Sequence, residues 1–289
     1  MDLDIDFRAD WAEIMKKELG ALGFPDDGEK DAKELTVRYF NAVFRRVPAL
    51  PRCIQKATAF ACPANLVTGL HLLETKVTSG DDLTPHLSRL NKKPAFNDLM
   101  LNSWHIYHFH LGTKMESDGY VERSNPLLFA LVDGSNFFEI GFFSHGAWTD
   151  TDIVETIHRN WPESILQYRI QPKEIRFSPS TDELRQFHKD KLNAFIQVDD
   201  GSVYMPMGGG FTADGKSLNV VIRTNQQIRL IDNLEQCVRE NIASVLEELG
   251  WTEQDSDTKV RVALQIDQGG YYAILPGLNC RMILVQPSL

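Results

Sequence analysis

The apolar spacing of the first hundred residues is helical. Trp11, Ile14, Met15, Leu19 and Leu22 recur at the period of one helix face. The pattern stops between Gly20 and Pro25, ahead of the polar turn Pro25-Asp26-Asp27-Gly28. Leu35, Tyr39 and Val43, with Phe40 and Phe44 beside them, predict a second helix. It must end before Pro48, because a proline disfavours helix in the residue ahead of it. Residues 45–52 read as an extended basic connector. Leu66, Leu70, Leu73 and Val77 mark a third helical stripe, closed by the turn Ser79-Gly80-Asp81-Asp82.

Near Trp104 the pattern shortens to that of strands. Residues 105–111, 126–132 and 137–143 predict three of them. Asp133-Gly134-Ser135-Asn136 joins the last two as a hairpin, with Asp-Gly expected at the positive-φ positions. Thr149 as N-cap with Asp152 three residues on predicts a capping box. The helix it opens buries Ile153 and Ile157 and is interrupted at Pro162. Farther on, 194–198 and 202–205 flank the turn Asp199-Asp200-Gly201. Residues 207–211 form a glycine-rich hairpin loop without the lysine of a phosphate-binding loop. Residues 218–223 read as a strand and 231–249 as an amphipathic helix ended by Gly250. Strands at 260–266, 271–275 and 282–285 close the chain. The expected fold is α+β: a mainly helical region, 1–103, packed on a mainly antiparallel sheet, 104–172, followed by a C-terminal α+β region, 173–289.

Composition adds exclusions. No apolar run approaches the roughly 20 residues that span a bilayer, and the start, MDLDIDFRADW, is acidic rather than signal-like. A cytoplasmic protein with no membrane partner is the expectation. Cys53, Cys62, Cys237 and Cys280 have no CxxC pair among them, which favours small buried hydrophobes over a disulfide framework or a cysteine zinc site. The net charge of −10 argues against a general nucleic-acid coat. Charge is unevenly spread, however. Residues 1–34 carry a net of −6, whereas 35–97 carry nine bases and three acids, a net of +6. Such an island suits RNA or an acidic protein partner; the alternative is a solvated face with internal ion pairs to the acidic N-terminal segment.

Five of the eight histidines fall between 105 and 158: His105, His108, His110, His145 and His158. On a strand, His108 and His110 share one face with Ile106, while His105, Tyr107 and Phe109 point to the other. Two imidazoles so placed suit paired proton transfer or metal ligation. His145 ends the third strand. Lys114 and Arg123 lie in the loop between the first two strands, placed to hold a phosphate. His108-Phe109-His110-Leu111-Gly112, Arg123 ahead of the strand 126–132, and the apolar hairpin ending at Ser144-His145 resemble the RelE-like and barnase/EndoU-like group of small ribonuclease toxins. The resemblance covers about residues 105–160. It implies a metal-independent ribonuclease of toxin or phage-defence type that needs no cofactor. His108, His110 and His145 would act as acid–base groups, Arg123 and Lys114 on the phosphate, and Arg45, Arg46, Arg52 and Trp148 in substrate binding. The departure is charge: residues 105–158 carry eight acids against Lys114 and Arg123, and only the basic island could compensate. Two alternatives remain open: a non-catalytic regulatory protein that docks an acidic partner, and a zinc-dependent hydrolase using His108, His110 and His145 or Glu116.

Overall fold

The structure is a computed structural model that describes residues 3–144, 151–171, 179–250, 259–268 and 270–285. In chain order the elements are β1 (Leu3–Ile5), α1 (Phe7–Ala21), α2 (Ala32–Phe44), β2 (Cys53–Lys56), α3 (Val67–Ser79), α4 (Leu99–Trp104), β3 (Ile106–Phe109), β4 (Leu127–Val132) and β5 (Asn136–Phe143). Then come α5 (Thr151–Asn160), α6 (Pro162–Ile165), β6 (Arg169–Ile170), α7 (Thr181–Lys189), β7 (Ile196–Gln197), β8 (Val203–Tyr204), α8 (Leu218–Glu248), β9 (Val260–Asp267), β10 (Gly270–Leu275) and β11 (Cys280–Val285). The fold is α+β, with mixed sheets beside the helices.

The chain forms two compact units. One joins residues 1–40 with 222–289, and the other holds 41–221. The regions 1–103, 104–172 and 173–289 divide the chain by its pattern; the two units divide it in space.

In the first unit, β9, β10 and β11 form an antiparallel meander, and β1 adds in parallel to β9. Helix α1 buries Phe7, Trp11, Ala12, Met15 and Leu19. Asp6 caps it by accepting from the Ala9 N–H at 2.9 Å, the favoured use of an Asp at this position. The Trp11 indole N–H donates to Thr36 Oγ1 at 2.7 Å, so the polar edge of this buried ring is satisfied. The local acids of the N-terminal segment hold Arg38, which pairs with Asp27, Glu29 and Glu34.

In the second unit, the central sheet has the order β2-β5-β4-β3. Strand β2 is parallel to β5 and the other pairs are antiparallel. Alternation along the strands sends side chains to two cores. Tyr107, Phe109, Leu128, Ala130, Val132 and Phe137 pack with Leu66, Leu70, Leu73 and Val77 of the α3 side. Ile106, Leu127, Phe129, Leu131, Phe138 and Ile140 pack with Ile153, Val154 and Ile157 of α5. Gly69 permits the α3 approach: a Cβ there would lie 1.9 Å from the Leu111 carbonyl oxygen. A small second sheet runs β6-β8-β7.

Four expectations need correction. Residues 218–223 begin the helix α8 rather than a strand. Val220, Ile228, Ile231, Leu234, Val238, Ile242 and Leu246 are all buried at helical spacing, and this long period outweighs the strand propensity of a local Val-Val-Ile run. The turn after β4 needs no positive φ at Gly134. Instead Asp133 accepts from the Ser135 and Asn136 N–H groups at 2.7 and 2.6 Å, closing the turn through its side chain. The strand expected over 105–111 is shorter: His105 is the left-handed C-cap of α4, and β3 stops at Phe109. Finally, none of the four cysteines is buried; Cys53 and Cys237 are exposed and Cys62 and Cys280 partly so. No helix among the described residues is long and apolar enough to cross a membrane.

Candidate functional site

Strand β3 delivers His108 onto the α5 side of the central sheet, where its ring packs on Phe129 with centroids 6.3 Å apart. The side chain is 20% exposed, and its Nδ1 lies 3.8 Å from Asp98 Oδ2. That is too long for a hydrogen bond. Asp98 is fixed by its other oxygen. As N-cap of α4, its Oδ1 accepts from the Leu101 N–H at 3.1 Å. Helix α4 is itself clamped by the glycine-rich loop. The Gly208 N–H donates to Ser103 O at 3.0 Å and the Gly210 N–H to Asn102 O at 2.8 Å. A Cβ on Gly208 would stand 2.0 Å from Leu101 O, so only glycine lets the two backbones approach this closely.

Beside His108 and Asp98 opens a cavity of about 210 Å³, lined also by Leu90, Phe96, Asn97, Leu99 and Met100. It is an apolar hollow with one acid–base pair in its wall, the general form of a small-molecule site.

His110 is placed differently. It is 3% exposed. Its Nδ1 accepts from the Ser124 N–H at 3.1 Å, so the proton of the neutral ring sits on Nε2. Its backbone carbonyl lies 2.9 Å from Nδ1 of His86, and its N–H donates to His86 O at 2.7 Å. Burial pushes His86 below the usual histidine range, and the same cause lowers His105. The Leu111 N–H donates to Ser124 Oγ at 2.9 Å, which closes the loop from Gly112 to Arg123 at its base. His110 therefore fastens the loop and holds the residue after Arg123. Arg123 and Lys114 are exposed, and among the described residues neither forms an ion pair. The loop is tied down by Arg89, which pairs with Glu116 and Asp118, and by Lys92, which pairs with Asp118 at 3.1 Å.

Two arginines of the basic island, Arg45 and Arg52, are turned inward. Arg45 is 2% exposed. It donates to the carbonyls of Asn41, Leu90, Lys93 and Pro94 and to Asn91 Oδ1, and its guanidinium lies 5.4 Å from the Phe96 ring centroid. Burial lowers it to about 10, still charged at neutral pH. Arg52, also buried, donates to the carbonyls of Asp133, Pro48 and Leu50. Arg46 is partly buried and donates to Ala42 O at 2.7 Å. Lys56 pairs with Glu74 and Glu139. Of the sequence-derived substrate contacts, Arg45 and Arg52 are thus struts between backbone segments.

His158 sits on α5 with Nδ1 2.8 Å from the hydroxyl of the buried Tyr204 and Nε2 3.2 Å from Asp200 Oδ2, apart from the cavity wall. His145 and Trp148, and the Thr149 cap, lie outside the described residues. Among the described residues no three His, Cys, Asp or Glu side chains are grouped to hold a metal ion. Sequence reasoning missed Asp98; its one signal was an Asp immediately before the short apolar run Leu99-Met100-Leu101. Comparison with protein families, curated proteins and solved structures finds no match to this chain.

Proposed function

We propose that the protein is a metal-independent ribonuclease whose acid–base group is His108. The observation that carries this reading is the pairing of His108 with Asp98 at the wall of an apolar cavity. From the cavity wall His108 can reach a bound ligand and accept its proton. The cavity would take the apolar faces of a base next to the scissile bond. His108 would accept the proton of the 2′-hydroxyl as that oxygen bonds to phosphorus and the bond to the 5′-oxygen breaks. Arg123 and Lys114 would stand on the phosphate as its charge grows. His145 remains the candidate acid that protonates the leaving oxygen. His110 serves this scheme by fastening the loop that carries Arg123, not by proton transfer, because its Nδ1 is occupied by a backbone donor.

The resemblance to RelE-like and barnase/EndoU-like toxins belongs to the same reading and predicts cyclic phosphate ends. The test is incubation of the protein with single-stranded RNA in excess chelator, with the ends of the products identified. Cleavage leaving 2′,3′-cyclic phosphates supports the reading; cleavage abolished by the chelator supports the zinc hydrolase instead. A second reading, ligand binding without chemistry, is favoured by the mostly apolar lining of the cavity. It predicts saturable binding of a small ligand that Asp98→Ala weakens, with RNA left intact. Docking of an acidic protein through residues 45–52 draws little support from side chains already bonded to backbone carbonyls.

A further inference from the structure

On the opposite face of the central sheet, the α3 side, a polar cluster stands inside an apolar layer. Glu139, in the middle of β5, is fully buried, and neither of its carboxyl oxygens has a hydrogen-bond partner. Lys56 lies across from it in the parallel register of β2 and β5. The Lys56 ammonium is 3.6 Å from Glu139 Oε2 and 2.6 Å from Glu74 Oε1 of α3, and it stands 5.2 Å from the centroid of the Phe60 ring. Phe60 in turn packs on Phe142 at 5.5 Å. Two carboxyls and an aromatic face around one ammonium make a cage for a cation. The route from solvent runs past Lys56 and Glu74, whose side chains are 45% and 21% exposed.

We propose that Glu139, Glu74 and the Phe60 ring form a binding site for a primary alkylammonium, a small aliphatic amine, which the chain's own Lys56 occupies in the free protein. The charge balance supports it: two acids face one base. In the free protein a proton neutralises the second acid. Burial first, and then Glu74, push Glu139 up to about 8 against the pull of Lys56. The remaining neighbour, the Cys62 thiol, is itself raised by burial and stays neutral.

The experiment empties the cage. In Lys56→Gln, n-butylammonium is expected to raise Tm saturably, whereas tetramethylammonium at equal ionic strength, which has no N–H to donate, does not. The double variant Lys56→Gln/Glu139→Gln should show no response. The wild type should respond at concentrations at least about tenfold higher, because Lys56 competes. If Lys56→Gln does not fold, the Tm of the wild type against putrescine, with Glu139→Gln as control, reads the same competition. A Tm indifferent to n-butylammonium in folded Lys56→Gln, a rise that survives Glu139→Gln, or, in the wild-type arm, indifference to putrescine overturns the proposal.

Discussion

The two faces of the central sheet treat their polar groups in opposite ways. On the α3 side, Glu139 is sealed in an apolar layer and met by an ammonium. On the α5 side, His108 keeps a fifth of its surface and borders a cavity, with a carboxylate near but not bonded to it. Both residues are central in short strands whose neighbours are core. A polar residue enclosed on all sides must be neutralised or paired, and so contributes to the state of the fold. One beside a hollow is paired only in part and stays available to a ligand. Substitutions on the α3 side should therefore be read out in stability, and those around His108 in activity.

The largest expected effect is on the α3 side. Gly69→Ala places a methyl group against the Leu111 backbone, and chemical denaturation should show a loss of about 3 kcal/mol or more, because neither backbone can yield. A loss below about 1 kcal/mol would mean that α3 moves freely over the sheet, and the contrast between the faces would weaken. His110→Ala should cost about 1–3 kcal/mol by orphaning the Ser124 N–H. It should also loosen the loop between β3 and β4, seen as faster amide exchange from Gly112 to Arg123.

pH separates the buried carboxyl from the buried imidazoles next. Glu139 is raised in the folded protein, from 4.5 to about 8. Its contribution to stability is thus complete below about 4.5 and is lost as pH rises towards 8. His86 and His105 are lowered from 6.5 by burial, so their contribution is present above 6.5 and is lost as pH falls. Glu139→Gln should flatten the alkaline limb of a denaturation-versus-pH profile and leave the acid limb unchanged. If both limbs persist in Glu139→Gln, the buried carboxyl is not what titrates.

Around His108 the effects fall on rate. Asp98→Asn keeps a cap for α4 but removes the charge beside the ring, and should lower RNA cleavage about tenfold, or about 1.4 kcal/mol of barrier, with little change in Tm. The smallest effects belong to Lys114→Ala and Arg123→Ala. Each should lower kcat for RNA cleavage a few-fold and reduce the dependence on salt by less than one phosphate contact. If either instead raised KM alone and left kcat unchanged, its side chain would be holding the phosphate and not acting on its growing charge.

Much of this architecture was legible in local pattern. The stripes Trp11–Met15–Leu19 and Leu70–Leu73–Val77 form α1 and α3, with Leu66 capping α3, and the Asp-Asp-Gly turn at 199–201 joins β7 and β8, with Gly201 at φ 85°. Pattern misled where a short run and a long period disagreed, as in 218–223. It was silent on β1 and β2, which are three- and four-residue strands held by parallel partners far along the chain. The site shows the same boundary. His108 could be singled out as a chemical group, but its carboxylate Asp98 is ten residues away on another element. His110 carries the same side chain two residues on, yet a backbone donor from Ser124 gives it a fastening role that spacing cannot reveal. The charge excess of 35–97 was visible, whereas its direction was not, since Arg45 and Arg52 point into carbonyl clusters formed only in the fold.

The most direct test compares wild type and His108→Ala in single-turnover cleavage of RNA with chelator present, beside Tm measurements on the same preparations. The account predicts a loss of about 10²- to 10⁴-fold in rate with Tm nearly unchanged. Equal rates in the two proteins, or a wild type that leaves RNA intact, would contradict it.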